Sequence, residues 1–308
     1  SGNMGIEYTR VLKAMGKNFF TIGRGELSAK KYEQETGIPA QIGGIESYLL
    51  KKPQLPSCAI VCVGMESLHK TTIALMRYGV KKILVEKPSG VDANEVNDLY
   101  FKSIKFDSKV FVAYNRRFYS SVLKAKELIK KDGGVLSFNF DFTEMTKKIE
   151  KMKKAKVIKE NWLFGNSTHV IDLAFFLCGS PSSIECNTVS RLDWHPSASV
   201  FTGSGFTKNN IPFSYHSNWN SAGRWGLNIF TKSMKLIFQP LEKLQVQYKD
   251  SFESQFINVD DSIDENFKPG IYLMVNSFLT NEFLKLKTLK EQVDHLQFYS
   301  RIGNYNWK

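Results

Sequence analysis

Two contrasting rhythms along the chain predict an α/β domain followed by an α+β domain. Through the first third, helix-like and strand-like stretches alternate; beyond about residue 116, strand follows strand. Alternation at this spacing makes right-handed βαβ units and a parallel sheet, whereas adjacent strands make an antiparallel one. With 308 residues, the chain is long enough for each domain to own a core. The expected division is 1–116 and 117–308.

In order, IEYTRVLKAMG reads as an amphipathic helix stopped by Gly16, NFFTIG as a short strand, and ELSAKKYEQETG as a helix closed by Gly37. CAIVCVG is a continuous apolar run, the pattern of a strand buried on both faces. LHKTTIALMRYG, KKILVEKP, ANEVNDLYFKSIKF and KVFVAYN continue as helix, strand, helix, strand. In the second part SSVLKAKELIKK and HVIDLAFFLCG are helices, and GVLSFNFDFTEM alternates like a half-exposed strand. Six further strands are expected in SSIECNTVSRLD, ASVFTGSGF, IPFSYHSNWN, WGLNIFTKS, MKLIFQ and KLQVQYKD, before two closing helices.

Composition narrows the partners. Hydrophobic residues make up 42% and charged residues 23%. The longest apolar runs, CAIVCVGM and DLAFFLC, fall far short of the roughly 20 residues that span a bilayer, so no membrane partner is expected. The net charge of +12 raises nucleic acid, a membrane surface and a phosphorylated ligand. Its densest cluster, KKIEKMKKAKVIKE, holds seven lysines but no aromatic for base stacking and no arginine for reading guanine. We read it as a solvated face and expect no nucleic acid. Cys58, Cys62, Cys178 and Cys186 lack the close pairs of a zinc knuckle. Buried free thiols, a cytoplasmic setting and no metal are the expectation.

The chemistry begins at the first residues. GNMG carries Gly2 and Gly5 at the spacing of the last two glycines of GxGxxG, ahead of a helix. One glycine lets backbone approach a pyrophosphate, the other lets helix pack on sheet, and the helix N-terminus offers amides to the anion. Gly2, Asn3, Met4 and Gly5 are therefore candidate cofactor contacts. No strand precedes them, so a strand and a first glycine are expected upstream. At the end of NFFTIG, where an NAD-preferring site places Asp or Glu, the chain has Arg24, with Ser28, Lys30 and Lys31 nearby. A guanidinium clamps a 2′-phosphate, so NADP(H) is favoured over NAD(H). VEKPSG then places Lys87 at the C-terminal end of a parallel strand, where open α/β sheets bind ligands.

GNMG, VGMESLHKTTIALMRYG, LVEKPSG, AYNRRFYSSVLKAKELI and HVIDLAFFLCG, in this order, resemble the Gfo/Idh/MocA oxidoreductases, and the likeness covers nearly the whole chain. It implies a Rossmann dinucleotide-binding domain, and an α+β domain built on an open, mostly antiparallel sheet. The implied activity is hydride transfer between NAD(P) and a carbon of a sugar, sugar derivative or sugar nucleotide. By the same resemblance Lys87 is the active-site lysine with Glu86 beside it, and Val63, Gly64 and His69 form the loop near the nicotinamide ribose. Asn115 and Arg116 match positions near the nicotinamide end.

The chain departs from the family at D-x-x-x-H. GNSTHVID keeps His169 but has Gly165 in place of the Asp, with the uncharged Asn166 next to it. His169 suits proton transfer near neutrality, and Lys87 suits stabilisation of an alkoxide or a polarised carbonyl. The missing Asp raises an alternative: a catalytically degenerate member that binds dinucleotide without turnover. HSNWNSAGRWG brings Asn218, Trp219, Arg224 and Trp225 around one strand-turn-strand. Trp162, Asn166, Arg224 and Trp225 are candidate substrate contacts, suited to a sugar ring and an acidic group, and equally to sheet packing. His195, His216 and His295 are read as structural. An open sheet needs covering, so a homo-oligomer, dimer or tetramer, is expected.

Overall fold

The structure is a computed structural model that describes residues 2–307. Two compact units emerge. The first takes the chain up to Asn115 together with Ile263–Val293, and the second takes Arg116–Ser262 together with the residues from Asp294 onward.

The first unit opens with α1 (Asn3–Ala14), β1 (Thr21–Ile22), α2 (Glu26–Thr36), β2 (Ala40–Gln41) and α3 (Gly44–Leu50). It continues with β3 (Ala59–Val61), α4 (Met65–Tyr78), β4 (Lys82–Glu86), α5 (Ala93–Lys105) and β5 (Lys109–Ala113). β4 is the buried heart of this unit: Ile83, Leu84 and Val85 are wholly covered, with β3 and β5 parallel on either side. Gly79 at φ +113 closes α4, in a backbone region that side chains with a Cβ avoid. Asp92 caps α5 by accepting from Glu95 N–H, and the Glu95 carboxylate accepts from Val91 N–H in return.

One expectation fails here. CAIVCVG does not form a strand covered on both faces. Only Ala59–Val61 is strand, and Ala59 and Ile60 are half-exposed. β3 has a single partner, β4, and β1 pairs only with β2, so the parallel strands fall into two sheets. An edge strand with one neighbour leaves its apolar residues partly open. The thiols differ from expectation for the same reason. All four cysteines are free, yet only Cys178 is fully buried; Cys58, Cys62 and Cys186 are half-buried.

The second unit contains α6 (Ser120–Lys131), β6 (Ser137–Phe142), α7 (Thr146–Glu150), α8 (Lys156–Glu160) and α9 (Thr168–Cys178). Then come β7 (Pro181–Val189), β8 (Val200–Thr207), β9 (Pro212–Asn218), β10 (Trp225–Phe230), β11 (Met234–Phe238), β12 (Gln245–Tyr248) and β13 (Ser254–Phe256). These strands form an eight-stranded sheet in the order β13-β12-β11-β10-β6-β9-β8-β7, antiparallel except where β6 meets β9. Phe138, Phe140 and Phe142 alternate inward along β6 and Phe213 and Tyr215 along β9, so one face of the sheet becomes an aromatic layer. Phe175 of α9 meets Phe138, Phe140 and Phe213 edge-on, which seats the helix on that face.

The remaining elements are α10 (Ser262–Asn266), α11 (Ile271–Thr280), β14 (Lys287–Thr288) and α12 (Leu289–Gly303). β14 returns to the first unit by pairing antiparallel with β5. Among the described residues, no helix is long and apolar enough to cross a membrane.

Candidate functional site

In the first unit the site candidates lie where strands give way to helices. Gly2 caps α1 with extended backbone and no side-chain bond, and the first helical hydrogen bond runs from Ile6 N–H to Gly2 C=O. The amides of Asn3, Met4 and Gly5 thus have no carbonyl behind them in the helix. A Cβ built on Gly2 would meet nothing within 4 Å, and one on Gly5 would meet only Cys62 Sγ at 3.8 Å, an ordinary contact. The fold therefore demands glycine at neither position.

Helix α1 is tied to the end of β4. Tyr8 Oη donates to Glu86 Oε1 at 2.7 Å, and burial pushes the carboxyl pKa of Glu86 above the usual range. Burial also raises the Cys62 thiol beside them, to about 11. Lys87 follows Glu86 at the mouth of the strand. The turn beyond it holds Ser89 buried at φ +81, a left-handed conformation disfavoured for serine. Gln292 donates to Pro88 C=O at 3.0 Å and reaches Tyr114 Oη at 3.4 Å, so the turn that presents Lys87 is clamped from behind. Arg24 stands exposed after β1, with Nη2 3.4 Å from Ser67 Oγ. Val63 is exposed and Gly64 caps α4. His69 is engaged by Asp98 of α5 at 2.7 Å, and Lys102 holds the same carboxylate at 2.8 Å. Asn115 is buried and donates to Pro269 C=O at 2.9 Å.

In the second unit a polar cluster collects around Trp225. His169, buried on the first turn of α9, has its ring centroid 6.2 Å from that of Trp225. The guanidinium carbons of Arg116 and Arg224 lie 4.9 Å and 5.4 Å from the Trp225 ring. Arg116 Nε and Trp225 Nε1 are both buried without a hydrogen-bond partner. Burial pulls the Arg116 pKa below the ordinary arginine value, and the like charge of Arg224 pulls the same way, against the opposing pull of Tyr119, Glu242 and Glu144. The segment before α9 is a single π-helical turn, Leu163–Ser167, a form that recurs at functional sites. Tyr305 Oη anchors the start of this turn by accepting from Leu163 N–H at 3.1 Å while bonded to His195 Nε2 at 2.8 Å.

The sequence reading missed one residue here. Glu144, just past β6, is buried, and its Oε1 accepts from Ser167 Oγ at 2.7 Å and from Asn166 Nδ2 at 2.9 Å. Burial raises its carboxyl pKa, against the donors Ser167, Asn166 and Trp162 and the charge of Arg224. The Trp162 indole N–H is near enough to exert that pull, yet it stays outside hydrogen-bond geometry and has no partner. A carboxylate is thus bound to the turn whose own Asp position is Gly165. The signal was present in FNFDFTE: Phe138, Phe140 and Phe142 point inward, and the same count of two puts Glu144 inward.

Other side chains of this unit serve the fold. Asp172 accepts two hydrogen bonds of 2.7 Å from Arg117, both side chains buried. Trp219 is buried and stacked on Trp194 with centroids 5.7 Å apart. His195 Nδ1 faces Ala198 C=O at 2.7 Å; a carbonyl only accepts, so this nitrogen carries the proton. Burial lowers the His195 pKa to about 4.

A parallel α/β unit joined in one chain to an α+β unit on a mostly antiparallel sheet is the architecture that the sequence predicts. No family model and no curated protein matches the sequence. Solved structures do match in fold. Levoglucosan dehydrogenase, in complex with NADH and L-sorbose, superposes with TM-score 0.77 at 16% identity, over 99% of this chain and 94% of its own. A putative NADPH-dependent oxidoreductase from Desulfitobacterium hafniense gives 0.78 at 15%, over 98% and 92%. UDP-N-acetylglucosamine 3-dehydrogenase GnnA from Acidithiobacillus ferrooxidans gives 0.74 at 12%, over 99% and 94%. These likenesses establish the fold from end to end.

Proposed function

We propose that the chain is an NAD(P)-dependent oxidoreductase of the Gfo/Idh/MocA type, moving hydride to or from a carbon of a sugar, sugar derivative or sugar nucleotide. The observation that carries this reading is the end-to-end fold shared with dehydrogenases of such substrates. In this reading the first domain binds dinucleotide and the second binds substrate. The residues present fit the cofactor. Backbone amides without helical partners at Asn3, Met4 and Gly5 suit a pyrophosphate, and the glycines that flank them are not required by packing. Arg24, with the exposed Lys30 and Lys31 on α2, suits a 2′-phosphate and supports NADP(H) over NAD(H). When bound, the nicotinamide supplies the hydride acceptor or donor. Lys87 is assigned to the oxygen that gains negative charge, and His169 to the proton that leaves or joins it.

Gly165 favours a second reading, a dinucleotide-binding protein without turnover. Fluorescence titration with NADPH and NADH, followed by a hydride-transfer screen over sugars and nucleotide sugars, separates the two. The expected result is NADPH binding stronger than NADH, with turnover that Lys87→Ala abolishes. Turnover unchanged by Lys87→Ala would sink the mechanism, and binding without turnover on any substrate would favour the second reading. In Arg24→Gln, NADPH affinity should fall by about tenfold or more while NADH affinity holds, because only the 2′-phosphate meets the guanidinium. A homo-oligomer is part of this proposal, and sedimentation of the free chain tests it.

A further inference from the structure

Arg116 and Arg224 form a pair of cations that share the ring of Trp225. Among the described residues neither makes an ion pair or a side-chain hydrogen bond, and both rest against the ring of Trp225. Arg224 is exposed, whereas the inner edge of Arg116 is sealed, with Nε buried and unpartnered. Trp225 itself is 7% exposed, and its Nε1–H also has no acceptor. A sealed guanidinium normally sits against a carboxylate, as Arg117 does against Asp172, because an uncompensated buried charge is costly. The cluster therefore holds two guanidiniums that no carboxylate engages directly among the described residues, Glu144 and Glu242 acting on them only at longer range.

We propose that this cluster is an anion subsite, and that the substrate is a sugar bearing an anionic group, a carboxylate or a phosphate, held by Arg116 and Arg224 against Trp225. The inference rests on the reading of the second domain as substrate-binding, and it narrows the substrate class. Guanidiniums suit the two oxygens of such a group, and the ring of Trp225 supplies an apolar wall for the sugar. Glu144, bonded to the π-turn and within range of the charge of Arg224, takes the opposite role. It is an acceptor for sugar hydroxyls, placed where a second anion would be repelled.

The test follows the Trp225 indole N–H resonance while the full chain is titrated with D-glucuronate, glucose 6-phosphate or D-glucose. NADPH fluorescence is recorded on the same samples. At least one anionic sugar should shift the resonance at a concentration about tenfold or more below that of glucose. In Arg224→Gln, an exposed substitution, its curve should fall onto the glucose curve while NADPH binding is unchanged. A response to glucuronate alone identifies the group as a carboxylate, and a response to glucose 6-phosphate alone identifies a phosphate. Three superposed curves, a resonance that none of the sugars moves, or an anion preference that survives Arg224→Gln would each overturn the proposal. An anion response without NADPH binding would leave the subsite standing and remove the oxidoreductase reading, so the two failures are distinct.

Discussion

Arg117 donates two hydrogen bonds of 2.7 Å to Asp172, whereas Arg116, one residue earlier, lies over Trp225 with no carboxylate in ion-pair range among the described residues. Both are half or more covered, and both come from the same NRRF turn. The difference separates a charge that holds the fold from one kept for a ligand. A fold-holding charge has its partner in the chain. A charge kept for a ligand is left incomplete, and its pKa is depressed by burial. Chain neighbours can differ so much because successive residues on a tight helical turn point in different directions.

The strongest way to break this comparison is to remove each arginine in turn. Arg117→Met removes both of the 2.7 Å hydrogen bonds that Arg117 donates to the buried Asp172 carboxylate, and urea unfolding should show a loss of about 3–5 kcal/mol. The double change Arg117→Met with Asp172→Leu should recover most of that loss, since no charge is then stranded. Arg116→Met strands nothing, and its stability should stay within about 1 kcal/mol of the parent chain. Equal losses from the two single changes would mean that Arg116 also belongs to the fold.

The histidines carry the same contrast into pH. His195 is closed inside a completed network, with Ala198 C=O and Tyr305 Oη as its partners, and burial lowers its pKa from 6.5 to about 4. The folded state favours the neutral ring, so its contribution is whole above pH 6.5 and is lost as pH falls toward 4. The loss should amount to roughly 3 kcal/mol in the free energy of unfolding, by linkage. His195→Gln should flatten that segment of the stability curve, and a slope that persists in the variant assigns the effect elsewhere.

Glu144 and Asp172 repeat the comparison among acids, with a smaller effect of opposite sign. The Glu144 carboxyl has its pKa raised by burial, so the ionised form is disfavoured in the folded state and subtracts from stability once pH passes the unfolded value. Glu144→Gln keeps an acceptor for Ser167 and Asn166, and it should raise stability slightly at pH 7, with the gain vanishing in acid. Asp172→Asn should lower stability at the same pH. If both variants lose stability, Glu144 holds the fold as Asp172 does.

These pairs also show what was legible in advance. The alternation of β6 and the apolar run of β4 were readable because each residue's environment follows from a local period. The half-exposed β3 was not, since CAIVCVG is apolar whether one neighbour strand is present or two. Nor was the return of Ile263–Val293 to the first unit, which hangs on β14, a two-residue strand with no periodicity of its own. At the site, His169 and Trp225 came from motifs, but the partner of Arg117 lies 55 positions away and the clamp of Gln292 on Pro88 spans 204. Contacts at such separations leave no spacing signal in a single sequence. Glu144 was readable in principle, as a polar residue at an inward count.

The smallest expected effect tests the same division on backbone rather than charge. If Gly5 served the fold, a methyl there would be destabilising; Cys62 Sγ at 3.8 Å offers only ordinary contact. Gly5→Ala should therefore be neutral, or stabilising by about 0.5–1 kcal/mol through helix propensity, on thermal unfolding. Gly2 has open space around it and a φ of −91°, so Gly2→Ala should likewise leave stability unchanged. Should NADPH affinity fall in either variant while stability holds, the glycine belongs to the ligand, as Arg116 does. Should stability fall instead, the opening turn is part of the scaffold, and the amides of Asn3, Met4 and Gly5 lose their strongest claim to a phosphate.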